Sequence, residues 1–219
     1  MIEELLPPTV ATVTARTDDP DAVLPPAERV AVARAVASRR AEFTTGRTCA
    51  RAALARLGVP AEAVPVGERR APVWPDGVVG AITHCAGFRA AAVARVADVR
   101  SLGIDAETHA PLPDGVLATV SDAGERAVLG ALGAAGPDVC WDRLLFSAKE
   151  SVYKAWFPLT GRWLGFADAA VTPEADGTFV ARLRVEGPTV DGAAVDRFDG
   201  RWRVADGLVL TAVALLPRP

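Results

Sequence analysis

Two short stretches carry the residues with the most chemistry in this chain. The first is Gly103-Ile104-Asp105-Ala106-Glu107. In an extended strand alternate residues share a face, so Asp105 and Glu107 point the same way with Cα atoms roughly 6.5–7 Å apart. Two carboxylates so placed can reach one hard cation, whose bonds to oxygen are about 2.1 Å for magnesium. Without a cation, their crowding raises one of the two pKa values. The second stretch is Phe146-Ser147-Ala148-Lys149-Glu150-Ser151-Val152-Tyr153-Lys154-Ala155-Trp156. At helical spacing Lys149 neighbours Tyr153 and Glu150 neighbours Lys154. Alone, the Glu150–Lys154 pair is an ordinary solvated helix pair, contributing about 0.2–0.5 kcal/mol. Brought against the strand, Glu150 becomes a third oxygen donor beside Asp105 and Glu107. Three carboxylates with room for waters and phosphate oxygens suit Mg2+, or Mn2+, bound together with a phosphorylated substrate.

The elements that must position these groups follow from the hydrophobic pattern. Leu144, Ala148, Val152 and Ala155 form one apolar stripe, so a long helix packs its back on a core. A break is expected at Phe157-Pro158. Residues 102–107 form a short strand, and residues 78–83 and 90–96 a hairpin with Thr83-His84 at its turn end. Upstream, a strand covers residues 10–14 and a helix covers residues 26–43, started by Pro26 and burying Val30, Ala33, Ala37 and Ala41. Thr44 or Thr45 caps a second helix that stops at Gly58. Residues 67–77 are a loop dense in Pro and Gly. After a helix beginning at Ser121 and the long helix, the rest is β-rich: residues 167–172, 178–185, 200–204 and 208–216. Asp206-Gly207 is a hairpin signal between the last two. Each half thus holds helix plus about three antiparallel strands. The expected fold is α+β and pseudo-duplicated, with lobes at residues 1–104 and 105–219 and a cleft between them.

Composition bounds the function. The 219 residues are 50% hydrophobic and 23% charged, with a net charge of −3. That balance suits a globular chain and argues against a non-specific nucleic-acid binder. Cys49, Cys85 and Cys140 form no Cys-x-x-Cys or Cys/His spacing, so buried thiols in a reducing compartment are expected rather than disulfides or zinc. The start, Met1-Ile2-Glu3-Glu4, is unlike a signal peptide, and no apolar run reaches membrane-spanning length. These features point to the cytoplasm.

Taken together, Gly103-Ile104-Asp105-Ala106-Glu107 and Phe146-x-x-Lys149-Glu150-x-x-x-Lys154-Ala155 resemble the paired signature of the 4'-phosphopantetheinyl transferases of the Sfp and enterobactin-synthase type, actinobacterial members above all. Supporting matches run along the chain: Arg39-Arg40-x-x-Phe43-x-x-x-Arg47, Pro72-Val73-Trp74-Pro75, Gly80-Ala81-Ile82-Thr83-His84, and residues 156–166. The resemblance implies transfer of the phosphopantetheine arm of coenzyme A to a serine hydroxyl of an apo acyl or peptidyl carrier protein, with release of 3',5'-ADP. It implies Asp105, Glu107 and Glu150 as metal ligands and Glu150 as the base for the attacking serine. Lys149 would neutralise the pyrophosphate, with Lys154 assisting and Lys149 the closer of the two lysines to substrate. Arg39, Arg47 and His84, with the Thr83 hydroxyl, would contact the nucleotide phosphates. Where some relatives place a lysine this chain has Val66, and Arg69 or Arg70 is the substitute. Tyr153 and Trp163 would wall the arm, Arg162 with the Lys154 face would receive the carrier, and His109 lies outside the motif. A pseudo-dimeric monomer is the simplest assembly. Two other functions fit the same residues: a non-catalytic module binding carrier proteins or coenzyme A, and a magnesium-dependent nucleotide hydrolase.

Overall fold

The computed structural model describes residues 1–218. Ten strands, β1 (Ala11–Ala15), β2 (Val78–Cys85), β3 (Phe88–Arg95), β4 (Ser101–Thr108), β5 (Ala169–Pro173), β6 (Thr178–Leu183), β7 (Thr189–Val190), β8 (Ala193–Ala194), β9 (Arg197–Ala205) and β10 (Leu208–Leu215), are joined by five helices. The helices are α1 (Pro26–Arg29), α2 (Ala37–Arg56), α3 (Val116–Val120), α4 (Ala123–Ala135) and α5 (Trp141–Thr160). The strands form a three-stranded sheet in the order β1-β3-β2, a five-stranded sheet in the order β4-β10-β9-β6-β5, and the small pair β7-β8. Every strand pairing is antiparallel. The mixed helical and antiparallel class matches expectation, with sheets of unequal size.

Alternation along the strands explains how the layers stack. On β3, Ala90, Ala92 and Ala94 pack with Leu102, Ile104 and Ala106 of β4 and Leu208, Leu210 and Ala212 of β10. Ala91 and Val93 face the other way, against Cys49, Ala50, Ala53 and Leu54 of α2. The strand is buried on both faces and so reads as an unbroken apolar run rather than an alternating one. On the far side of the larger sheet, Leu144, Ala148, Val152 and Ala155 of α5 pack on Val171, Phe179, Phe198, Val209 and Val213. The order is helix, sheet, sheet, helix. Since Leu102, Ile104 and Ala106 are committed to the core between the sheets, period two sends Gly103, Asp105 and Glu107 toward α5.

Gly103 is what lets α5 come so close. A Cβ there would stand 1.9 Å from the Ser151 carbonyl oxygen and 2.9 Å from the Ala155 nitrogen. Ser101 Oγ donates to the Ala155 carbonyl, 2.5 Å, in the same contact. At the far end, β9 and β10 turn through Asp206 (φ 50°) and Gly207 (φ 73°), both left-handed as a type I′ hairpin requires.

Three local expectations are corrected. The helix expected over residues 26–43 is a single turn, α1, followed by a 3-10 turn at Val30–Val32 and a break before α2. Val30 is 80% exposed rather than inward-facing. The buried carboxylate of Glu28 ties α1 down by accepting from Arg51, 2.5 Å, and from the Val64 amide, 2.7 Å. Thr44 and Thr45 cap nothing: they lie inside α2, where their hydroxyls donate to the Arg40 carbonyl, 2.7 Å, and the Ala41 carbonyl, 3.0 Å. Arg39 and Arg40 therefore sit in the first turn of α2, not at the end of a helix. Finally, α5 runs through Pro158 and stops at Gly161 (φ 63°).

Candidate active site

Helix α5 presents Arg143, Ser147, Glu150 and Lys154 at spacings of four, three and four, which is one helical face. Three of the four meet the acidic side of β4. Lys154 Nζ donates to Asp105 Oδ1, 2.7 Å, and to the Ile104 carbonyl, 3.0 Å. Ser147 Oγ donates to Asp105 Oδ2, 2.8 Å, and Arg143 donates to Glu107 Oε2, 3.0 Å. From β2, Thr83 Oγ1 donates to Asp105 Oδ1, 3.1 Å, while accepting from the Ala106 amide, 3.1 Å. Asp105, only 5% exposed, is thus held by three donors from two elements.

The charges are crowded. Burial, and then the charge of Asp105, push both Glu107 and Glu150 above the usual carboxylate range; Arg143 and Lys154 pull Glu107 back, and Lys154 pulls Glu150 back. The negative field reaches Cys85, whose thiol is pushed up to about 11 by burial and by the charges of Glu107 and Asp105. Among the described residues, however, no three His, Cys, Asp or Glu side chains converge as a ligand set. The expected triad is corrected to this extent: Asp105 and Glu107 are engaged by Lys154 and Arg143 rather than drawn onto one point. The carboxylates still suit a hard divalent cation in chemistry, because all the donors are oxygen and the charge of Asp105 acts on both Glu107 and Glu150.

Lys149 is placed apart from the carboxylates of β4. One residue before Glu150, it is turned about 100° around the helix. Its Nζ meets Glu125 Oε1 at 2.8 Å and donates to the Phe166 carbonyl, 2.7 Å, with the side chain 4% exposed. Glu125 is itself occupied, since it completes the capping box of α4 with Asp122 and accepts from the Val171 amide, 2.9 Å. Lys149 fastens α5 to α4 and to the following loop, and Lys154 is the lysine that faces the carboxylates.

Beyond the carboxylates, β2 carries the chain from Thr83 to His84 and into a cavity of about 690 Å3. Arg39, Arg47 and His84 all line it, beside Glu42, Phe43 and Arg70. Arg47 is 4% exposed, its Nε has no hydrogen-bond partner, and its guanidinium lies 4.8 Å over the Phe43 ring. Burial brings its pKa down to about 10, against the pull of Glu28. No carboxylate pairs with Arg47 among the described residues, so its charge is available to an anion. Arg39 approaches His84 Nε2 at 2.6 Å. Arginine only donates, so the ring is neutral and accepts there. Burial, and next the Arg39 charge, lower the His84 pKa accordingly. Glu42 stands by both, 3.3 Å from Arg39 and 3.7 Å from His84 Nδ1. Thr83 does not join this cavity, because its hydroxyl is spent on Asp105.

A smaller cavity, about 80 Å3, lies along α5 and is lined by Lys149, Glu150, Tyr153, Trp163 and Phe166 among others. Tyr153 and Trp163 meet in a tilted contact, ring centroids 5.0 Å apart and planes at 56°, and Trp163 is 60% exposed. Arg162 is tied down, lying 4.8 Å over Trp156 and donating to the Glu186 carbonyl. His109 accepts from the Cys140 amide, 3.1 Å, outside the site.

Residues 27–94 match the 4'-phosphopantetheinyl transferase N-terminal domain, and residues 101–205 match the 4'-phosphopantetheinyl transferase superfamily. The chain is 60% identical to 4'-phosphopantetheinyl transferase Svp of Streptomyces mobaraensis, over 98% of this chain and 89% of that protein. The chain belongs to the 4'-phosphopantetheinyl transferase family. A second member, PptT of Mycobacterium tuberculosis, is 49% identical over 98% of both chains. Enterobactin synthase component D of Salmonella typhi is 36% identical over 66% of this chain and 56% of its own. Nothing in these relatives favours a non-catalytic binding module. Arg143, Ser147 and Glu42 are the site residues that the sequence reading passed over. The first two share the helical face of Glu150 and Lys154, a signal that was present in the spacing. Glu42 was hidden by the misplaced helix boundary.

Proposed function

We propose that this transferase moves the 4'-phosphopantetheine arm of coenzyme A to a serine hydroxyl of an apo acyl or peptidyl carrier protein and releases 3',5'-ADP. The carrying observation is that Arg39, Arg47 and His84 line one cavity, which β2 joins directly to the carboxylates of β4 and α5. Coenzyme A is a polyanion at one end and an uncharged arm at the other. The cationic cavity suits its nucleotide phosphates, and the aromatic cavity of Tyr153 and Trp163 suits the arm. In the transfer, the serine Oγ forms a bond to the phosphorus that carries the arm. The bond from that phosphorus to the bridging oxygen breaks, and its electron pair leaves with 3',5'-ADP. Glu150 takes the serine proton, directly or through a water. Lys154 offsets charge growing on the transferring phosphate, the electrostatic positioning on which phosphoryl transfer depends.

Asp105, Glu107 and Glu150 would hold Mg2+, or Mn2+, which supplies charge neutralisation at the pyrophosphate when bound. This assignment carries a stability prediction. Glu107 and Glu150 have folded pKa values above their unfolded ones, so ionising them costs stability, and the cost grows as pH rises from about 4.5 through the folded values. Saturating Mg2+ at pH 7.5 is therefore expected to raise the melting temperature. At a hundred times Kd the gain is about 2.7 kcal/mol, or about 5–10 °C for a chain of this size. At pH 5 the gain should be smaller, because protons compete better for the two raised carboxylates as pH falls. Thermal melts with and without the cation check this, and an equal shift at both pH values would remove the carboxylates as its cause.

The same reading draws two lobes at the cleft. Strand β4 hydrogen-bonds within the five-stranded sheet from Ser101 onward, which supports a boundary in residues 96–100 rather than at 104. Among the described residues no helix is long and apolar enough to cross a membrane. With three free cysteines and a coenzyme A substrate, we assign the protein to the cytoplasm, acting as a monomer on fatty-acid, polyketide or peptide carriers.

A further inference from the structure

Strand β10 reads Leu208-Val209-Leu210-Thr211-Ala212-Val213-Ala214-Leu215, with Thr211 its one polar residue. Period two puts Thr211 on the α5 side of the sheet, between Val209 and Val213, which belong to the core under that helix. Thr211 is 0% exposed, and so is Ser147, which meets it from α5. A valine at 211 would match its neighbours and bury no hydroxyl, so packing alone gives no reason for threonine. The reason stands on the next strand. In the pairing of β10 with β4, Thr211 lies directly opposite Asp105.

The hydroxyls run in one direction. On α2 and α5, Thr44, Thr45 and Thr160 each donate back to the carbonyl four residues earlier in their own helix. Ser147 instead donates out of α5 to Asp105 Oδ2, 2.8 Å. That uses its single hydrogen. Thr211 Oγ1 lies 2.9 Å from Ser147 Oγ and 3.0 Å from the Ser147 carbonyl, so Thr211 is the donor of that pair. On Asp105, Oδ1 accepts from both Thr83 and Lys154, while Oδ2 accepts from Ser147 alone. An ionised carboxylate offers about four lone-pair sites, shared by its two oxygens. The open one is on Oδ2, the oxygen that Ser147 holds.

We propose that Thr211 and Ser147 form a positioning relay: Thr211 fixes the Ser147 hydroxyl, and Ser147 turns the open site of Asp105 Oδ2 toward the divalent cation. Both are positioning residues that act through Asp105, and neither touches the cation or the substrate. The relay rests on the metal assignment above.

Calorimetric titration of the full chain with Mg2+ alone at pH 7.5 tests it. Ser147→Ala is expected to weaken Mg2+ binding by about tenfold, the lower end for a hydrogen bond behind a metal ligand. Thr211→Val, which keeps the shape of the side chain, should weaken it severalfold, and Thr211→Ser should recover most of that loss. In the Ser147→Ala background Thr211→Val should cost nothing further, because its effect passes through the Ser147 hydroxyl. Wild-type Mg2+ affinity in Ser147→Ala would overturn the proposal. So would tighter binding, which is what baring the charge of Asp105 alone would give. Equal losses from Thr211→Val with and without Ser147 would also overturn it, since they mark two independent structural effects. A wild-type protein that takes up no Mg2+ would instead defeat the metal assignment, and the relay with it.

Discussion

Asp105→Asn is expected to lower the rate of carrier loading by about 10²–10³-fold, the range for removing one preorganised electrostatic group from a transfer site. The carboxylate accepts from Thr83, Ser147 and Lys154 and sits between β2, β4 and α5. Asparagine keeps its shape but replaces one acceptor oxygen with an NH2 group that must point at a donor. Lys154 is a quarter exposed, so its ammonium can turn to water, and the stability loss should stay at about 1–2 kcal/mol. Glu150→Gln should lose activity in the same range, yet melt at or above the wild-type temperature, because it removes a crowded charge. Initial rates by mass spectrometry, with melts of the same samples, separate the two effects. A Glu150→Gln protein that is both active and less stable would mean that Glu150 is structural.

Gly103→Ala is expected to damage both the fold and the site. The added methyl meets the backbone of Ser151 and Ala155, and a helix backbone cannot step aside as a side chain can. Overpacking of this kind costs about 3 kcal/mol or more, a fall of about 6–12 °C in melting temperature. Because Gly103 and Asp105 lie on one face of β4, separation of the strand from α5 also pulls Asp105 from Lys154, and loading should fall with stability. Gly130→Ala on α4 is the control, since nothing lies within 4 Å of the added carbon there and alanine favours the helix. If Gly103→Ala melted like the wild type, the close strand–helix contact would be wrong.

The parts of the fold governed by local pattern were legible in the chain. The apolar stripe of α5, the alternation that turns Asp105 and Glu107 to one side, and the Asp206-Gly207 hairpin all follow from period and turn chemistry. What the pattern could not supply depended on partners far away in sequence. The placement of α1 against α2 rests on Glu28 reaching Arg51 and Val64. The fate of Lys149 was settled by Glu125 on another helix. Adjacent position in sequence made Lys149 look like a companion of Glu150, although a helix turns adjacent residues apart. Had the spacing of Arg143, Ser147, Glu150 and Lys154 been weighed first, Lys154 would have been the lysine chosen.

The most direct measurement incubates the purified protein with coenzyme A, Mg2+ and an apo carrier domain, and weighs the carrier while quantifying the nucleotide released. The expected result is a carrier heavier by one phosphopantetheine on its serine and one equivalent of 3',5'-ADP. Chelator should stop both, and neither should appear when the serine is replaced by alanine. Nucleotide released at the same rate without a carrier, or an unmodified carrier in the complete mixture, would contradict the transferase account.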